Sequence, residues 1–315
     1  MGEDLRGHPA CGVHAGVILG VMDADAFSGQ AGFVHRDGPF ADLPDSPGTA
    51  LVPAPLAGIM AAKPGEIMQS DNPTAAILLI GDEILSGRTR DLNAHHLAGI
   101  LNGIGIDLRE IRVVADDHQA IVAALRALDQ ALGGAWDMVF TSGGIGPTHD
   151  DITADAVADA YGTVLGINAD ARRMMEERWT KLGMEITEAR LRMARIPVGA
   201  TLIENAESAA PGFSIGGAHV MAGVPSVFRS MVEALVPRLN PGRPPVSETI
   251  RVDRPESDVA DDLTRVADAY PALSLGSYPF SGSQGLGTNL VVRGLDGDEV
   301  ARATADLRRA LGMPA

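Results

Sequence analysis

The sequence predicts a doubly wound, mostly parallel α/β domain over residues 73–240, followed by a small α+β domain over residues 246–315. Three observations carry this expectation. Short apolar runs of strand length alternate with stretches of helical spacing, the pattern of a parallel sheet flanked by helices. Glycine and carboxylate clusters follow the first three runs, where such sheets bind ligands. After a Pro-rich break at 237–245 the order changes to β-α-β-β-α, a split βαβ arrangement.

Taken in order, Ala75 to Ile80 is the first strand, and Asp91 to Gly103 the helix after it, with Asp91 as cap and Gly103 as stop. Ile106 to Val114 forms a second strand ending in Asp116-Asp117. Gln119 to Leu132 carries Ile121, Leu125, Leu128 and Leu132 at helical spacing. Trp136 to Phe140 is the third strand, and Thr153 to Tyr161 the helix beyond its turn. Asn168 to Gly183 and Thr187 to Arg195 read as helices, the first with a Met174, Met175, Trp179 stripe suited to core or to an oligomer contact. Ala200 to Ile203, Gly212 to Ile215 and His219 to Ala222 are short strands, and Val227 to Leu239 is a helix. The small domain follows as Glu248 to Val252, Glu256 to Ala269, Leu273 to Tyr278, Thr288 to Val292 and Asp298 to Leu311, and its Ser281 to Gly287 loop is either a lid or a hairpin connection.

Composition excludes several functions. A formal charge of -16 opposes general affinity for nucleic acid or anionic membrane, which depends on Lys and Arg meeting phosphates. A single cysteine, Cys11, excludes an intrachain disulfide and a Cys-based zinc site, and fits a reducing cytoplasm. The apolar run Ala15 to Met22 is far too short to span a bilayer. Residues 1–72 are rich in Gly, Pro, Ala and Asp and read as an irregular extension. Met68 runs directly into the first strand and is an alternative start of the functional protein.

The chemistry concentrates in Thr141-Ser-Gly-Gly-Ile-Gly-Pro-Thr-His-Asp-Asp-Ile-Thr153. Gly143, Gly144 and Gly146 let a ligand approach the main chain, and with Ser142 and Thr148 they read as a phosphate cradle. The segment has no Gly-Lys-Ser/Thr ending and is too short for a dinucleotide fingerprint. Asp150 and Asp151 would repel a bare phosphate, so a divalent cation between carboxylates and phosphate resolves the conflict. Asp151 is alternatively the cap of the next helix. Gly81, Asp82 and Glu83 after the first strand form a shaped loop or a solvated turn. Asp116 is a ligand or a helix start, with Asp117 the better cap. Asn93 sits in the first turn of its helix, and Gly223, Pro225 and Ser226 form a second ligand turn or an ordinary strand-to-helix connection.

IGDEILSGRTRDLN, the VVADD end of strand two, TSGGIGPTHDDIT and GVPSVFRSM together resemble the molybdopterin-binding fold. That fold is shared by molybdenum-cofactor biosynthesis proteins of MoaB/Mog type and by the amino-terminal domain of the competence/damage-inducible protein A (CinA) family. GIGPTHDD is most similar to the CinA branch, and the LGSYPF segment to that branch's small KH-like domain. The resemblance implies one of two reactions beside AMP: metal-dependent hydrolysis of the ADP-ribose pyrophosphate, or transfer of AMP to molybdopterin. Asp116 and Asp151 match the acidic residues involved, and they are expected to hold one or two divalent ions with Asp82 or Glu83. Val227 and Phe228 stand where many relatives have an acidic residue. A non-catalytic nucleotide or pterin sensor is the third reading. The expected partners are a nucleotide or pterin phosphate and further copies of the chain, with no nucleic acid and no membrane.

Overall fold

The computed structural model describes residues 71–185, 187–282 and 285–314. The expected extension over 1–72 and the Met68 start lie almost wholly outside them. Three parallel strands open the domain: β1 (Thr74–Ile80), β2 (Asp107–Val114) and β3 (Met138–Ser142). Parallel β8 (Ala218–Met221) joins β3; β7 (Gly212–Ile215) pairs antiparallel with β8 and with β6 (Thr201–Ile203), completing the order β2-β1-β3-β8-β7-β6. The sheet is therefore mostly parallel, with an antiparallel flank.

β1 is apolar from Ala75 to Ile80 because both its faces are covered there. Ala76, Leu78 and Ile80 face one core, with α3 (His118–Leu128), α4 (Thr153–Ala160) and α5 (Ala169–Lys181). Ala75, Ile77 and Leu79 face the other, with α2 (Asn93–Gly103) and α7 (Pro225–Leu235). The period-two alternation of a strand thus divides the six residues from Ala75 to Ile80 between two helical layers. Since α2 and α3 lie on opposite faces, the chain reverses its winding at β1. A crevice opens there between the carboxyl ends of β1 and β3.

Several expected boundaries move. A one-turn helix, α1 (Asp82–Leu85), occupies the loop after β1. The predicted Gln119 to Leu132 helix stops at Leu128 because Asp129 turns to extended backbone and caps the short 3-10 turn that follows. The predicted Thr187 to Arg195 helix holds only as α6 (Glu188–Leu191). The chain then tightens into a 3-10 turn at Arg192–Ala194, and Arg195 enters β5 (Arg195–Pro197), which pairs with β4 (Leu165–Ile167). In the Met and Trp stripe of α5, Met175 and Trp179 belong to the core.

The second sheet has the order β10-β11-β9, from β9 (Val246–Val252), β10 (Ser274–Gly282) and β11 (Gly285–Gly294). β9 and β10 both run antiparallel to the β11 between them, so they are parallel to each other, as the split βαβ pattern requires. α8 (Ala260–Ala269) and α9 (Gly297–Ala310) accompany this sheet. Strand pairing extends to Gly282↔Gly285, which makes Ser281 to Gly287 a hairpin tip, with Ser283 and Gln284 outside the described residues. Where the α/β domain ends, Arg243 N–H donates to Asn72 Oδ1 at 2.8 Å and Asn72 Nδ2 donates to Arg243 O at 3.0 Å. Gly105, at φ +71°, permits this approach, since a Cβ there would lie 2.5 Å from the Arg243 main chain.

Candidate functional site

At the crevice between β1 and β3 lies a pocket of about 420 Å³. Glu83, Asp116, Asp150 and Asp151 line one part of it, and Gly143, Gly144 and Gly146 form a turn along it. Ile145, Met193, Ala210, Val224, Val227 and Met231 supply an apolar wall. Three segments far apart in sequence meet there because each leaves the carboxyl end of a neighbouring strand.

The glycines of the turn are demanded by contact as much as by conformation. Gly143 has φ +117°, and a Cβ on it would sit 2.2 Å from Ile80 O. Gly144 has φ +67°, and a Cβ would meet Thr153 Oγ1 at 2.1 Å. That hydroxyl donates to Gly143 O at 3.0 Å, and Thr153 N–H donates to Gly144 O at 3.0 Å, so the start of α4 closes the turn. Gly143 N–H donates to Met221 O and Thr148 N–H to Asp151 Oδ2. Among the described residues the amides of Gly144, Ile145 and Gly146 donate to no protein group. Those three amides are the ones free to meet an anion.

Asp151 is not the helix cap: Ile152 holds that position without a side-chain bond. Its carboxylate instead accepts from the amide and hydroxyl of Thr148 and packs against Gly146, where a Cβ would lie 2.7 Å from Oδ2. Asp117 caps α3 by accepting from Ala120 N–H at 2.8 Å. Asp116 is thereby left to the site, where it accepts Asp82 N–H at 2.9 Å. Burial pushes the Asp116 carboxyl above the usual carboxylate range against that hydrogen bond, and the neighbouring Glu83, Asp82 and Asp150 charges push it further. Asp116 is therefore a point of uncompensated negative charge, which a cation would relieve.

Asn93 is 4% exposed, and its amide faces inward. Nδ2 donates to Ser142 Oγ and to Gly223 O, both at 2.8 Å, while Oδ1 is buried without a partner. Asp91 holds the start of this helix by accepting from Asn93 N–H and Ala94 N–H. The structure thus places Asn93 and Ser142 beneath the pocket as a tie between two turns. Gly81 is also set back, with its N–H on Val114 O. The Asp82 side chain, Thr148, Pro225 and Ser226 are exposed and outside the lining. Glu83, Asp116, Gly143, Gly144, Gly146, Asp151 and Gly223 do come together around it.

The apolar wall was missed by sequence reasoning. Met193, Val227 and Met231 come from segments whose spacing says only that they belong to helices, so no local signal marks them. Among the described residues no group of three or more His, Cys, Asp or Glu side chains is arranged to hold a metal ion by itself. None of the described helices is long and apolar enough to cross a membrane.

The fold and the site define a doubly wound α/β domain with a glycine turn of unpaired amides and carboxylates at its strand ends. Residues 76–241 match the family model described as "probable molybdopterin binding domain", and residues 244–314 match "FAD synthase, middle domain". The chain belongs to the molybdopterin-binding-domain family. It is 38% identical over 216 residues to a protein of Pyrobaculum calidifontis, covering 66% of this chain and 81% of that one. With a protein of Metallosphaera sedula it shares 37% identity over 177 residues, which is 55% of this chain. The match spans about two thirds, 66%, of that Metallosphaera protein's length. Among solved structures it is similar to the protein CinA of Thermoplasma acidophilum, at 34% identity and a TM-score of 0.48, over 54% of this chain and 99% of that one. It is also similar to the molybdopterin biosynthesis enzyme MoaB of Thermus thermophilus, at 18% identity and a TM-score of 0.36, over 53% and 91%.

Proposed function

We propose that the chain hydrolyses a phosphoanhydride beside AMP, with ADP-ribose or a closely related nucleotide as substrate. The observation that carries this reading is the division of one pocket into three surfaces: unpaired amides, clustered carboxylates and an apolar wall. The amides suit phosphate, the wall suits a heterocyclic base, and the carboxylates are at odds with phosphate unless a cation stands between them. A second domain of the kind found in an FAD synthase agrees with a nucleotide substrate.

The residues fit a divalent ion of a particular sort. Asp116, crowded by like charges, and Asp151 supply hard oxygen donors, but too few for a complete shell. This suits an ion of magnesium type, held by one or two carboxylates together with substrate phosphates. When bound, such an ion neutralises charge on the phosphates and acidifies water. The chain's own residues do the rest. The amides of Gly144, Ile145 and Gly146 orient the phosphate, Thr148 fixes the Asp151 carboxylate, and the wall of Met193, Val227 and Met231 excludes bulk water.

The test is product analysis of the purified chain incubated with ADP-ribose and each of several divalent metals. AMP and ribose phosphate should appear, and Asp151→Ala should abolish them while keeping the wild-type melting profile. Full activity in Asp151→Ala would refute the mechanism. The family's own description favours a second reading, in which the same pocket binds molybdopterin, and AMP transfer to the pterin is the reaction that reading proposes. Retention of a pterin by the purified chain, with nucleotide transfer to it, would establish that reading instead.

A further inference from the structure

A second and smaller recess adjoins the same glycine turn. It shares the turn from Gly144 to Gly146, Asp151 and Met193 with the main pocket; its other polar walls are Asp155, Arg192 and Arg195, and Phe213 is among its apolar ones. Its free volume of about 20 Å³ accommodates one water or one oxygen atom. Two arginines reach it, and they differ. Arg195 is neutralised by Asp155 at 2.5 Å. Arg192 is half-buried, its Nε is buried with no hydrogen-bond partner, and its guanidinium has no ion pair among the described residues.

An uncompensated guanidinium is unexpected in a chain of net charge -16, beside a pocket lined by four carboxylates. The stretch of chain that carries it is held in place. Asn168 N–H donates to Ala194 O at 2.8 Å, the Arg190 guanidinium stands 5.6 Å from the Trp179 ring, and the Arg195–Asp155 pair fixes the other flank. Holding the backbone on both sides limits the positions open to the unpaired cation, which lowers the ordering cost of binding.

We infer that Arg192 is the anion-recognising cation of this site, receiving an oxygen of a pyrophosphate-type ligand in the small recess while the turn's amides hold the same group. A planar guanidinium suits this role because its fork matches the oxygens of phosphate. The assignment rests on the phosphoanhydride reading above and deepens it. It supplies the positive charge that the acidic wall lacks, in a recess that Asp116 does not line.

The experiment titrates the full-length wild type, Arg192→Gln and Arg192→Lys with inorganic pyrophosphate in the presence of magnesium ion by calorimetry, with adenosine as an uncharged control. Thermal melts of all three verify folding. Arg192→Gln should weaken pyrophosphate binding by about tenfold or more and leave adenosine binding unchanged, because a charged hydrogen bond is lost. Arg192→Lys, which keeps the charge without the fork, should fall between them and remains informative if the glutamine variant does not fold. Pyrophosphate bound within about twofold of wild type by a folded Arg192→Gln would overturn the inference and leave the recess to a water. Failure of the wild type to bind pyrophosphate would overturn it too. Arg192-dependent binding without AMP release from ADP-ribose would uphold the inference and refute the hydrolase reading.

Discussion

Replacing Asn93 with alanine should loosen the site from beneath without removing any group that lines the pocket. The side chain makes two 2.8 Å hydrogen bonds, one to Ser142 Oγ at the end of β3 and one to Gly223 O at the entry to α7. Each is worth roughly 1 kcal/mol net, and leaving the Gly223 carbonyl without its donor adds a desolvation cost. The expected loss is about 2–3 kcal/mol, or roughly 5–10 °C in melting temperature for a domain of this size. Asn93→Asp should lose more at neutral pH. At 4% exposure the position would bury a charge, and an ionised carboxylate has no proton for the Gly223 carbonyl. Thermal and urea melts of both variants measure the loss, and pyrophosphate titration reads its effect on the turn. An alanine variant within about 0.5 kcal/mol of wild type would show that Asn93 does not tie the turns together.

Two further outcomes rest on charge. Asp116→Asn keeps an acceptor for the Asp82 amide while removing a charge from among Glu83, Asp82 and Asp150, so it should stabilise the fold at neutral pH by about 0.5–2 kcal/mol and abolish turnover. Because the folded state raises this carboxyl's pKa, the wild type loses stability as pH climbs from the unfolded value of 3.8 through the folded one; the variant's gain should therefore vanish in acid, as urea melts across that range would show. His219 is the opposite case: burial first, then the Arg238 charge, pulls it down to about 4 in a niche where Ser214 Oγ lies 2.9 Å from Nδ1 and the Phe140 ring 5.0 Å away. Its contribution is full above the unfolded value of 6.5 and is lost as pH falls through that window, on the order of 3 kcal/mol, a slope that His219→Gln should remove from acid urea titrations.

The parts of the fold visible in the sequence were those whose signal is local. β1 showed as an unbroken apolar run because both its faces are buried, and Asp117 showed as a cap because the residue that begins a helix is chosen by its own amides. The glycine turn was visible for the same reason, and the structure adds that Gly144 is forced by the Thr153 hydroxyl ten residues away from Gly143. Arg192 was hidden inside what reads as a continuous helix from Thr187 to Arg195. The strand pairing of Arg195 with Ile167, a contact 28 residues distant, ends that helix early and turns Arg192 toward the site. Met231 and Val227 were hidden differently: helical spacing identifies a buried face but not the residues opposite it. Asn93 was legible as a polar residue near the site, yet its burial depends on two turns from elsewhere in the chain.

The bonds between Asn72 and Arg243 bring the entrance and the exit of the α/β domain to one point on its surface. A unit whose two ends clasp each other is portable. It can be spliced into a loop of another protein, or joined tail to head and opened at a different turn, without stretching the chain across the fold. Such a clasp also leaves a neighbouring module free to be exchanged, because the chain beyond Arg243 departs from beside the place where the domain began.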